Sequence, residues 1–137
     1  MKKYFLFLIM VLFASMFLVS CDSSGTAVDP ETPVESINDL CGTWKTGTDS
    51  DYITIKITNN VTAMFEVNEK KNTAVTTTYV VRSLEDSILT LAYGEDSYTF
   101  KVKLNAEKTE LALTQTEGSN IFSQHSGTTT FTFTKQE

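Results

Sequence analysis

From Gly42 onward, apolar and polar residues alternate in short runs broken by turn-forming residues. Ile53, Ile55 and Ile57 share one face, with Thr54, Lys56 and Thr58 on the other. The same side is continued by Val61, Ala63, Phe65 and Val67, then by Val75, Thr77, Tyr79 and Val81. Leu89, Leu91 and Tyr93 follow, then Tyr98, Phe100, Val102 and Leu104, then Leu111 and Leu113, then Phe131 and Phe133. A period of two is that of half-buried strands. The runs predict eight strands: Gly42–Thr46, Tyr52–Thr58, Val61–Val67, Thr73–Arg82, Ile88–Tyr93, Tyr98–Leu104, Glu110–Gln115 and Thr128–Thr134. Ser36 to Leu40 predicts one helical turn, with Ile37 and Leu40 on one face.

Hairpins between neighbouring runs must keep these faces together, because a slip of one residue turns every side chain over. Ile57 opposite Val61, Phe65 opposite Val75, Val81 opposite Leu89, Tyr93 opposite Tyr98 and Leu104 opposite Leu111 satisfy that rule, and Trp44 lines up with Ile53. The expected fold is therefore all-β, an eight-stranded antiparallel up-and-down meander. Closing it into a barrel hides the apolar face and removes both exposed edges.

The chain before Gly42 follows different rules. Lys2 and Lys3 precede a sixteen-residue stretch, Tyr4 to Val19, in which only Ser15 is clearly polar. A membrane span needs about 20 apolar residues, whereas this length suits a secretory leader. The stretch ends in Leu18-Val19-Ser20-Cys21, which resembles a bacterial lipobox. The resemblance implies cleavage before Cys21, acylation of its thiol, and attachment to a membrane through the acyl chains. Asp22 to Glu35 is polar, acidic and carries both prolines, and it reads as a tether. The expected division is a signal peptide over 1–20, a flexible acidic tether over 21–39 and a barrel over 40–137.

Charge narrows the partners. Lys2 and Lys3 fall in the leader, so the mature chain keeps 9 of the 11 Lys+Arg against 17 Asp+Glu, a net charge of −8. That balance disfavours nucleic acid and electrostatic docking on anionic lipid. The expected location is the cell envelope, lipid-anchored in the outer membrane. Asp22 is a signal for inner-membrane retention in some bacteria and keeps that alternative open.

Leu40-Cys41-Gly42-Thr43-Trp44 carries a Gly-x-Trp on the first strand behind a helical turn. It resembles the start of a lipocalin-like, calycin-type barrel and the small barrels of that kind on bacterial lipoproteins. The resemblance spans Leu40 to Lys135. It implies that Trp44 plugs the barrel floor and that Gly42 allows a close approach. The arginine that lipocalins place over the tryptophan from the last strand has no counterpart here, and Lys135 is the nearest cation.

Candidate chemistry is sparse. His125, the single histidine, lies in the polar loop Glu117–Gly127 and reads as a solvated side chain with no nucleophile or second metal ligand beside it. Asp49, Asp51, Glu95 and Asp96 read as solvated turn carboxylates. With Cys21 acylated, Cys41 is unpaired and reads as a small buried residue at a strand entrance. Asp86-Ser87-Ile88 resembles an O-glycosylation sequon of some envelope proteins, and equally marks a turn. Thr76–Thr78 and Thr128–Thr130 read as solvent faces of strands.

No enzyme, metal or cofactor is expected from these residues. Trp44, Phe65, Tyr79, Tyr93, Tyr98, Phe100, Phe131 and Phe133 are the inward aromatics, lining a ligand pocket or forming a core. Lys56, Arg82, Lys101 and Lys103 face outward, and the inward set as read carries no charge. So many large side chains should fill a small barrel. The expected function is an envelope scaffold or interaction module with an envelope protein partner. The alternative is a carrier of a small neutral apolar ligand.

Overall fold

The alternation that forms the strands also closes them. The computed structural model describes residues 33–137. In it, helix α1 (Ile37–Leu40) is followed by β1 (Gly42–Gly47), β2 (Tyr52–Asn59), β3 (Ala63–Lys70), β4 (Ala74–Glu85), β5 (Ile88–Tyr93), β6 (Asp96–Leu104), β7 (Glu110–Glu117) and β8 (Thr130–Gln136). Every neighbour pairs antiparallel, and β8 returns to β1, giving an eight-stranded up-and-down closed barrel. The leader, Cys21 and most of the acidic segment lie outside the described residues.

The predicted faces hold, while the registers move. Ile57 pairs with Phe65 rather than Val61, Phe65 with Tyr79 rather than Val75, and Trp44 with Ile55 rather than Ile53. Leu91, not Leu89, lies opposite Val81, and Tyr93 meets Asp96 rather than Tyr98. Leu104 pairs with Leu111 as expected. Each shift is an even number of residues, so no face is turned over. Turn chemistry causes the shifts. Val61 sits fully exposed in the turn after Asn59 and Asn60. Asp86 and Ser87 take φ 49° and 63°, the left-handed pair that a two-residue hairpin turn requires, and so draw β4 out to Glu85. A bulge between Val81 and Ser83 reverses the parity, which lets Leu84 pair with Leu89.

The core runs through the barrel from end to end. Trp44, Phe65, Phe100, Phe122 and Phe133 are fully buried beside Leu40, Ile53, Ile55, Ile57, Leu89, Leu91 and Leu111. At the floor, Leu40 accepts a hydrogen bond on its carbonyl from Trp44 Nε1 at 2.8 Å, so α1 and the tryptophan close this end together. Lys135 Nζ lies 5.3 Å from the centroid of the Trp44 ring. Gly42, at φ 137°, leaves space for that arm, since a Cβ there would stand 3.2 Å from Lys135 Cε.

The chain enters at the same floor. Val34 is buried in the core; its N–H donates to Ser87 Oγ at 2.8 Å and its carbonyl accepts from Ser87 N at 3.2 Å. The hydroxyl of the Asp86-Ser87-Ile88 sequence is thus engaged and half-buried. Cys41 is half-buried rather than buried, with Sγ 3.4 Å from the Ile37 carbonyl.

Candidate functional site at the lidded end

Because the strands run up and down, the loops after β1, β3, β5 and β7 gather at the end opposite α1. Asp49, Asp51 and Glu95 sit in two of these loops, and Asp96 opens β6 beside them. The loop after β7, Gly118 to Thr129, is long enough to cross the mouth. Its polar sequence holds two adjacent apolar residues, Ile121 and Phe122, and both are buried. The Phe122 ring lies 4.7 Å from that of Phe131, 6.1 Å from Phe133 and 6.3 Å from Phe100, centroid to centroid. This loop is a lid with an aromatic plug.

The lid is shaped from within. Asn120 Oδ1 accepts from Phe122 N at 2.8 Å, and Gln115 Oε1 accepts from Ile121 N at 3.3 Å. Gly118 starts it at φ 88°, where a Cβ would stand 2.7 Å from the Ser97 carbonyl oxygen, so only glycine fits there. A 3-10 turn, Ser123–His125, follows the plug.

That turn binds the barrel wall. Glu69, near the end of β3, is 3% exposed and is the buried charged side chain among the described residues. Ser123 Oγ donates to Glu69 Oε1 at 2.6 Å, and Gln124 N donates to Oε2 at 3.2 Å. His125 Nδ1 lies 3.2 Å from the same Oε2, and His125 Nε2 lies 2.7 Å from Asp51 Oδ1. Gln124 adds a second clasp: its Oε1 accepts from Lys71 N and Asn72 N, and its Nε2 donates to the Thr73 carbonyl. A carboxylate removed from water costs several kcal/mol unless its lone pairs are met, and here three groups meet them.

These contacts correct three expectations. His125 is not a solvated loop residue: its side chain is 16% exposed and joins two carboxylates from two other elements. Asp51 is not a plain turn carboxylate, because it forms one end of that bridge. The inward face does carry a charge, since β3 runs past Val67 and the alternation Phe65, Val67, Glu69 continues inward. Glu69 was missed because Asn68–Asn72 has turn-like composition; extending the period of two by one step finds it. Phe122 was also missed, and its signal is an apolar pair inside an otherwise polar loop.

Of the expected aromatics, Trp44, Phe65, Phe100 and Phe133 are fully buried, Tyr79 and Tyr98 nearly so, and Phe131 half-buried under the lid. Tyr93 departs from the set. It has inward parity but ends β5 at the rim, 55% exposed, with its ring 5.7 Å from that of Tyr79. The three tyrosines form one group, with Tyr79 and Tyr98 edge to face at 5.4 Å. Burial, then the neighbouring Tyr98, Glu69 and Tyr93, push the Tyr79 phenol up to about 12. Thr128 and Thr129 belong to the lid, and only Thr130 is in a strand.

Ser123, His125, Glu69 and Asp51 are the residue types of a nucleophile–base relay, joined in an order that does not make one. The hydroxyl donates to a carboxylate, and both imidazole nitrogens face carboxylates, leaving neither for the hydroxyl. The arrangement is a latch. Comparison with protein-family models, with curated proteins and with solved structures finds no match to this chain.

Proposed function

We propose that the protein is a lipid-anchored envelope protein whose barrel is a solid scaffold and whose latched end carries the interaction surface. The supporting observation is Phe122, 1% exposed and seated among Phe100, Phe131 and Phe133 where a carrier would hold its ligand. With Trp44 and Leu40 closing the floor, the apolar interior is filled by the chain itself. The described chain enters at the floor beside Ser87, which supports a reading in which the acylated Cys21 tethers that end and the lid meets an envelope partner. A lipocalin-like origin is supported by the closed barrel, the helical turn before Gly-x-Trp, and Lys135 over the Trp44 ring.

The test is thermal melting and dye binding of the full-length protein. Long-chain neutral lipids should leave the melting temperature unchanged, and ANS should bind weakly. Phe122→Ala, which empties the plug position, should raise dye binding. A stoichiometric complex of the native protein with a neutral lipid, of micromolar affinity or tighter, would replace the scaffold with a carrier.

A further inference from the structure

Between the lid and the β3–β4 hairpin lies an open cavity of about 140 Å³. Val67, Glu69, Val75, Thr77 and Tyr79 form its wall, Tyr98 flanks it, and Ser119, Asn120, Ile121 and Ser123 form the lid side. It lies at the mouth of the barrel, where Val67, Tyr79, Tyr98 and Ile121 also belong to the buried core.

Its chemistry favours one sign of charge. Glu69 lines it together with Tyr79 and Tyr98, whose rings meet edge to face at 5.4 Å, and Tyr93 at the rim lies tilted against Tyr79 at 5.7 Å. The segments that flank it, Tyr93–Phe100 and Gln115–Ser123, carry Glu95, Asp96 and Glu117 and no lysine or arginine. His125 and Lys71 approach this end from the lid and the β3–β4 turn, where His125 faces Glu69 and Asp51. The electron-rich faces of tyrosine rings attract cations, the more strongly where water is excluded.

We propose that this cavity binds a small organic cation of the alkylammonium class. The size follows from the volume: a cavity of about 150 Å³ accepts benzene, so a ligand of roughly six to eight heavy atoms fits. The ammonium lies against the tyrosine rings and within the field of Glu69, while Asn120, Ser119 and Thr77 supply hydrogen bonds to a polar tail. Carboxylates and phosphates are rejected by the same field. Burial first, then Tyr98 and Glu69, push the Tyr79 phenol up, so a new negative charge is disfavoured beside the cavity. This inference rests on the lidded end being the functional end, and a filled barrel beneath it is equally compatible.

The test titrates the full-length protein with choline and with its uncharged isostere, in which a tert-butyl group replaces the trimethylammonium. Calorimetry should show choline binding with one-to-one stoichiometry, and roughly tenfold or more tighter than the isostere. Rising salt should weaken choline and leave the isostere unchanged. Tyr79→Phe keeps the ring and should retain choline; Tyr98→Leu should lose it about tenfold. The salt titration needs no variant, so the proposal stays testable even if a substitution unfolds the domain. Equal affinity for both compounds, or no choline binding, would overturn the cation site. A lipid-induced rise in melting temperature would instead overturn the scaffold, so the two failures are distinct.

Discussion

Lys135 Nζ stands 5.3 Å from the centroid of the Trp44 ring, in space that Gly42 leaves open. The last strand is thereby tied to the first across the floor, where β8 pairs Lys135 with Trp44 directly. Trp44→Ala should destabilise the domain by about 3–5 kcal/mol, the cost of a large aromatic truncation in a core. Lys135→Gln should cost only about 0.5–1 kcal/mol, because the cation is partly solvated. Denaturant midpoints measure both. An unchanged midpoint for Trp44→Ala would contradict the role of the floor plug.

The latch at the other end makes a second expectation. Ser123→Ala removes one of the three groups that meet the Glu69 carboxylate and should cost about 1–3 kcal/mol. His125→Ala should act similarly. Hydrogen exchange resolves where the cost falls. Lid amides, Gln124 N among them, should exchange faster in both variants while β1 and β2 keep their protection. Uniform acceleration across the barrel would mean that Glu69 supports the whole fold and not the lid.

Tyr79 supplies a pH dependence. Its folded phenol is pushed up to about 12, above the ordinary 10.0, so the folded state prefers the protonated form. The corresponding stability is present in full below the unfolded pKa and is lost as pH rises from 10.0 toward about 12, where the unfolded chain gives up its proton first. A spectrophotometric titration of tyrosinate should show a late phenol that disappears in Tyr79→Phe. Loss of an early-titrating phenol instead would contradict the burial of Tyr79 beside Tyr98 and Glu69.

Strand number, strand order and facing were legible because each follows from a period of two that survives any even shift of register. The registers themselves depend on turns and bulges. Nothing in the alternation of Thr73–Arg82 signals the bulge after Val81, and an exposed Val61 looks like a core residue until Asn60 is placed in the turn. The lid was hidden for another reason. A buried carboxylate, a bridging histidine and a loop phenylalanine are meaningful only together, and they come from position 69 on β3 and positions 122 and 125 in the loop after β7. Sequence alternation reports which side a residue faces, not which distant loop will cover it.

The anchor makes its own prediction. Cys21→Ser should abolish metabolic labelling by a palmitate analogue and leave the barrel folded, since the polar segment Asp22–Thr32 that follows it has only Ala27 and Val28 to offer a core. Persistent label would contradict a lipid-attached Cys21.

The most direct test of the filled barrel is native mass spectrometry of the protein isolated from its own host. A solid scaffold predicts a mass equal to the processed chain with its attached acyl groups, and no retained lipid-sized molecule. A non-covalent lipid recovered at one per chain, and released on denaturation, would contradict the account, because Phe122 would then have to leave the space in which it sits.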